Sequence, residues 1–84
     1  LEGEIYHNVA FVVDGEVWQM VCIRDGETLG MEPIPSRYSS DSLFMGWFTT
    51  QGVPYDGYKP VYEDMAFSAV WKELTPQKEV SGNP

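Results

Sequence analysis

The Asp-Gly pair at 14–15 constrains the fold of this chain more than any other feature, because it lies between two apolar runs. The run 5–13 before it alternates with the period of two that is typical of a strand with one buried face. The run 17–23 after it reads VWQMVCI and stops shortly before a second Asp-Gly pair, 25–26. A two-residue type I′ turn needs positive φ at both central positions, which Asp-Gly adopts readily. The sequence therefore predicts an antiparallel hairpin near its start.

Two later segments also have the pattern of strands. The run 43–50 (LFMGWFTT) is aromatic in its centre and ends in β-branched residues. The run 65–71 alternates most clearly, and its one face carries Met65, Phe67, Ala69 and Trp71. We expect that face to form the core with its counterpart on the first strand, which carries Val9, Phe11 and Val13.

The connections between these segments are rich in glycine and proline. Residues 27–40 and 51–64 lack any sustained period, and proline disfavours the interior of helices and of central strands. We expect two long loops, the first with one helical turn near Leu29. Residues 1–73 are predicted to form a single domain, and residues 74–84 a linker or disordered tail.

The composition excludes several classes of function. The chain has 84 residues, which suits one small domain, and 13 acidic residues against 5 basic ones give a formal charge of −8. Affinity for nucleic acid comes largely from lysine and arginine, so nucleic acids and anionic membranes are poor partners. No run of 18 apolar residues is present, so we expect no direct membrane insertion. Because the chain begins at Leu1 and not at methionine, we expect a cut-out domain or a processed fragment.

The residues that usually carry catalysis or bind metals are too few here to form a site. His7 and Cys22 are the single histidine and the single cysteine, so they cannot supply a Cys/His metal set. We expect His7 near the exposed start of the first strand, and Cys22 as a small apolar group that fills space in the second. The acids cluster at turns, as in Asp14-Gly15-Glu16, without a calcium-loop pattern or a nucleophile motif. We therefore predict no enzyme activity, no cofactor and no stoichiometric metal.

The order and spacing of several motifs resemble one known family. The motifs are Val9-x-Phe11-x-Val13-Asp14-Gly15, Asp25-Gly26-Glu27-x-Leu29, Pro33-x-Pro35, Phe44-x-Gly46-Trp47-Phe48-Thr49 and Asp64-Met65-x-Phe67-x-Ala69-x-Trp71. Across residues 7–72, they resemble the internalin-type B-repeat, also called the Listeria/Bacteroides repeat. The segment around Trp47 and the closing strand are the most specific parts. The sequence departs from the family in the polar stretch 37–42 and at Ser68, where the family usually has tyrosine.

The resemblance implies a fold class that is α+β but mostly β. The fold would be a small β-grasp-like (ubiquitin-like) four-stranded sheet with two long loops and little helix. The family's role is that of a non-catalytic structural spacer or adhesion module, repeated in large bacterial cell-surface or secreted proteins. The implied location is extracellular, with a signal peptide and a cell-wall anchor outside these residues. Neighbouring repeats in the parent chain would then be partners.

Four aromatic residues are the candidates for contact with a partner. Tyr55, Tyr58 and Tyr62 lie in the second loop, and tyrosine presents rigid apolar area with a polar tip. Trp18 is predicted on the same face as Met20, where we expect it to be partly exposed or covered by that loop. The four residues either bind a protein or a neutral glycan, or cover the core as lids. If the loop is a recognition surface, changing all three tyrosines to serine should remove adhesion and leave the fold nearly intact.

The sequence leaves two other functions open. One is a carbohydrate-binding module that uses the exposed aromatic residues as stacking platforms. The other is an intracellular ubiquitin-like adaptor that docks partners on a sheet edge. Glycan binding would favour the first, and a cytosolic parent protein would favour the second.

Overall fold

The computed structural model describes residues 3–35 and 42–74, which form one four-stranded sheet. The strands are β1 (Tyr6–Val13), β2 (Glu16–Arg24), β3 (Ser42–Phe48) and β4 (Met65–Glu73). Their order is β2-β1-β4-β3, with β1 antiparallel to β2 and parallel to β4, and β3 antiparallel to β4. No helix occurs in the described residues. The prediction of a mostly β chain with four strands is confirmed, and the architecture is compatible with a small β-grasp-like fold.

The turn between β1 and β2 has the predicted geometry. Val13 pairs with Glu16, which leaves Asp14 and Gly15 as a two-residue connection. Their φ angles are 52° and 84°, both positive, as a type I′ turn requires. The hairpin prediction is therefore confirmed.

The core lies on one face of the sheet, and half of its buried residues are aromatic. Its buried residues are Val9, Phe11, Ile23, Trp47, Val61 and Phe67. The predicted core faces of the first and last strands are thus confirmed at their centres, while Val13, Met65 and Ala69 pack around them and are partly buried. The Phe11 ring meets Trp47 edge-on, with centroids 4.9 Å apart, a favourable arrangement for two aromatic rings.

The second layer consists of the two long loops, joined to each other by backbone hydrogen bonds. Gly26 N donates to the carbonyl oxygen of Val61 at 2.7 Å, and Val61 N donates to that of Glu27 at 2.9 Å. Further along, Gly30 N donates to the carbonyl oxygen of Gly57 at 2.7 Å. These bonds satisfy backbone groups that would otherwise be costly to bury over the core. The loops therefore cover the sheet as a helix would in other α+β domains.

One expectation for the first loop is wrong. A helical turn was expected near Leu29, but the chain is extended there, and Thr28 forms an antiparallel bridge with Pro60. Pairing with the second loop supplies the hydrogen bonds that a helical turn would have made locally. The predicted tail lies outside the described residues from position 75 onward.

A β-bulge in β2 changes the side of the sheet on which Trp18 lies. Phe11 pairs with Gln19 but Val12 pairs with Val17, so Trp18 is the extra residue. The Trp18 ring stacks on that of Trp47, with centroids 5.8 Å apart. The prediction that Trp18 and Met20 share a face of the sheet is therefore wrong. The bulge turns the Trp18 side chain to the core side, where it remains 39% exposed.

Candidate functional site

Tyr55 is part of the core cover as well as of the predicted contact surface. Its ring lies 5.2 Å from that of Phe67 and 5.9 Å from that of Phe11, measured between centroids. Its hydroxyl donates a 2.8 Å hydrogen bond to the carbonyl oxygen of Gly30, which holds the two loops together. Serine at position 55 would remove both the ring contacts and the hydrogen bond. We therefore do not expect the triple tyrosine-to-serine change to leave the fold nearly intact.

Tyr55 also forms one wall of a surface cleft between the two loops, which we call the loop cleft. It has a volume of about 250 Å³. It is lined by Gly30, Met31, Glu32, Tyr55, Asp56, Gly57 and Tyr58. Met31 and Tyr58 are 84% and 80% exposed, far more than most large apolar side chains of a folded chain. The cleft therefore combines a rigid floor with two apolar side chains that are free to contact a partner.

The loop cleft has an acidic rim. Glu32 and Asp56 both line it, and the side chain of Asp56 accepts a 3.0 Å hydrogen bond from the backbone N of Tyr58. Burial raises the pKa of the Tyr55 phenol above its ordinary value, and the charges of Glu32, Tyr58 and Asp56 raise it further. Negative charge is therefore disfavoured inside the cleft, and a neutral or cationic group is favoured.

The pKa shift of Tyr55 predicts a titration step that one substitution removes. The unfolded phenol ionises near pH 10, and the folded pKa is higher. The stabilisation linked to this shift is therefore fully present below about pH 10 and is lost as the pH rises through the folded pKa of Tyr55. We expect phenolate absorbance of the folded domain to contain a step above pH 10 that is missing in Tyr55→Phe. A titration curve of Tyr55→Phe that keeps this step would contradict the assignment.

The other two candidate residues lie at separate places. Tyr62 is largely exposed and lies beside the second Asp-Gly turn, where its ring approaches Gly26. Trp18 contacts Trp47 on β3, as described above. The structure thus brings Tyr55 and Tyr58 into one cleft, whereas Trp18 and Tyr62 are placed by different contacts. The role of all four in partner binding stays a prediction.

Sequence reasoning missed the contribution of the first loop to this cleft. Met31 and Glu32 lie in a segment without periodicity, and nothing in their spacing indicated contact with residues 55–58. The signal that was present is compositional: an apolar methionine flanked by glycine and glutamate in a polar loop. Such a residue is either buried by another segment or available to a partner.

His7 lies near the start of β1, as expected, but its side chain is largely buried and not exposed. Its side chain is 12% exposed, and its Nε2 lies 2.7 Å from the Oδ1 of Asp25. On the other side, Asp64 Oδ1 is 3.9 Å from His7 Nδ1 and accepts a 2.8 Å hydrogen bond from the backbone N of Asn8. The histidine therefore connects the start of β1 to both loops, which explains its burial without a catalytic role.

Cys22 also differs from its predicted role. The sequence predicts that it fills space as a small apolar group, but it is exposed on β2. Cys22 pairs with Asn8, and both side chains lie on the sheet face opposite the loops, which the core does not occupy.

Within residues 3–35 and 42–74, no group of three or more His, Cys, Asp or Glu side chains is arranged to hold a metal ion. The same residues include no helix long and apolar enough to cross a membrane. No protein-family model matches the chain, and no curated protein matches it.

Proposed function

We propose that this chain is a non-catalytic interaction or spacer module of a bacterial cell-surface or secreted protein, and that it contacts partners through the loop cleft. The resemblance of its motifs to the internalin-type B-repeat supports the assignment to a bacterial cell-surface or secreted protein. The described geometry supports the contact role, because the cleft lies on loops held by a rigid sheet, where binding residues commonly occur.

The observation that carries the contact role is the exposure of Met31 and Tyr58 beside two carboxylates. Methionine and tyrosine adapt to varied apolar surfaces, and the face of an aromatic ring attracts a cation. Glu32 and Asp56 add attraction for lysine or arginine at the same place. The partner chemistry that fits is a protein segment bearing a basic side chain next to an apolar one.

A glycan is the weaker partner for this surface. A carbohydrate platform needs flat aromatic rings presented side by side, and Trp18 was the largest ring available for one. Trp18 instead stacks on Trp47, while Tyr55 packs on Phe11 and Phe67. We therefore rank protein contact above glycan binding.

A peptide array and a glycan array test this proposal together. The purified domain is applied to peptides that carry lysine or arginine beside apolar residues, to acidic peptides of matched length, and to neutral glycans. We expect binding to the basic peptides, weakened at least tenfold by Tyr58→Ser or Met31→Ser, because such residues often contribute more than about 1.4 kcal/mol. Ile34→Ser is the control, since Ile34 is a large apolar residue that is 67% exposed but does not line the cleft.

Three results would count against parts of the proposal. Equal binding by Tyr58→Ser and wild type would exclude the loop cleft as the contact surface. Binding to glycans alone would favour the carbohydrate-binding alternative. Binding to no probe would leave the spacer role, and the full sequence of the encoded protein then tests the placement through a signal peptide, further repeats and a wall anchor.

A further inference from the structure

The sheet has a second face, turned away from the loops, which we call the outer face. One row of outward-facing side chains crosses all four strands. In this row, Val12 pairs with both Val17 and Ser68, and Ser68 pairs with Phe48. The large apolar side chains of the outer face are Val12, Val17, Met20, Leu43, Phe48 and Val70. Of these, Val17, Met20, Leu43 and Val70 are at least 40% exposed. No described residue outside the sheet is packed over them as the loops are over the core.

Among the described residues, no outward-facing position of the four strands is acidic, although the chain has 13 acidic residues. Its outward positions follow from the register, and the charged ones are Arg24 on β2 and Lys72 on β4. The acids of the strands are Glu16 and Glu73, which lie at strand ends and on the alternate positions. Glu4, which precedes β1, reaches the edge of this face, where its Oε1 lies 3.6 Å from Arg24 Nη2 and accepts a 2.7 Å hydrogen bond from the Tyr6 hydroxyl. A chain of charge −8 therefore keeps the outward strand positions of one large face free of acidic residues.

We propose that the outer face binds a second copy of this chain, sheet against sheet. The distribution of charge favours this occupant, because two copies can bring their outer faces together while most of their acids point away from each other. A twofold arrangement needs a surface that is complementary to itself, and an apolar face with few charges meets that condition. This inference does not rest on the loop cleft, which lies on the opposite side of the sheet.

The sizes of the side chains on the outer face also favour the packing of two sheets. The centre of this face carries small side chains, because Ala10 on β1 pairs with Ala66 on β4. Met20 stands beside Ala10 on β2, and Val70 stands further along β4. Two such sheets packed at the usual separation of about 10 Å can place the larger side chains of one copy over the small central residues of the other.

The available area is sufficient for a weak dimer. Four strands spaced about 4.8 Å apart, each about seven residues long, give a footprint of about 19 by 23 Å per copy. Both copies together would bury on the order of 1,000 Å², which is close to the lower limit for a specific interface. We therefore expect a transient dimer, which dissociates when the protein is diluted to micromolar concentration.

Sedimentation equilibrium of the domain from about 1 µM to about 1 mM tests the proposal. We expect a monomer–dimer equilibrium whose Kd is at least tenfold higher in Val70→Asp, because that substitution places a carboxylate within the interface, on one of the two central strands. Ile34→Asp is the matched control: it adds the same charge at an exposed residue of the loop layer and should leave the Kd unchanged. Circular dichroism and melting curves verify that both variants are folded.

Cys22 provides a second readout, because it is exposed on the outer face. Its rate of reaction with a bulky thiol reagent should fall as the protein concentration passes the Kd, and should stay constant in Val70→Asp. A chain that is monomeric throughout the concentration range would overturn the proposal. Dimerisation that is weakened by Ile34→Asp but not by Val70→Asp would also overturn it, by placing the interface on the loop layer.

Discussion

Replacing Phe67 with alanine should destabilise the domain by about 3 to 5 kcal/mol, which is most or all of the stability expected for a chain of this size. Phe67 is 3% exposed and pairs with Phe11 across the parallel β1–β4 junction. Its ring also lies edge-on to that of Tyr55 in the loop layer. One side chain therefore fills the space where the sheet meets both loops, and alanine would leave a cavity there.

Chemical denaturation of Phe67→Ala and Ser68→Ala measures this effect. Ser68 is the next residue of β4 but is exposed on the outer face, so its replacement should change the free energy of unfolding by less than about 0.5 kcal/mol. Phe67→Ala is expected to be largely unfolded at room temperature. A melting temperature lowered by a degree or two would mean that the core does not depend on this ring.

Gly57→Ala should also destabilise the domain strongly, with a cost of about 1 to 3 kcal/mol or more. A Cβ atom at position 57 would lie 1.6 Å from the carbonyl oxygen of Gly30 and 2.9 Å from the hydroxyl oxygen of Tyr55. The obstruction is mainly backbone, so no rotamer change relieves it. The substituted chain must separate the loops and lose the hydrogen bonds that Gly30 makes with Gly57 and Tyr55.

Gly52→Ala is the control that separates this clash from ordinary glycine strain. Gly52 has a φ of 84° and no atom near the position of a Cβ, so alanine there costs about 1 to 2 kcal/mol through backbone conformation alone. We expect denaturation curves in which Gly57→Ala is clearly the less stable variant. Amide exchange at Gly30 should also accelerate in Gly57→Ala and not in Gly52→Ala. The reverse order of stability would contradict the close approach of the two loops.

The regular part of this fold could be predicted from the sequence, because it depends on local patterns. The alternation of the first and last strands identified Phe11 and Phe67 as core residues, and Asp14-Gly15 specified the turn. The side of the sheet on which Trp18 lies could not be predicted, because a bulge shifts the alternation without any mark in the residue pattern.

The loop layer was beyond prediction because it depends on contacts between segments far apart in sequence. Thr28 and Pro60 pair across 31 intervening residues, and neither segment has a period of its own. The tyrosines of the second loop were identified from their number and their type. Their neighbour Met31 was not, because the pairing of the loops is what places it beside Tyr58.

The parallel pairing of β1 with β4 has a consequence for a chain under tension. These two strands are adjacent at the centre of the sheet. Along the chain, β1 is the first strand of the sheet and β4 is the last. Because the strands run in the same direction, a pull at the start of β1 and the end of β4 draws them past each other. The hydrogen bonds between them are then loaded together in shear instead of opening one after another. Resistance to such a pull is governed by the unfolding barrier and not by equilibrium stability, so this topology can withstand force even in a domain of modest stability.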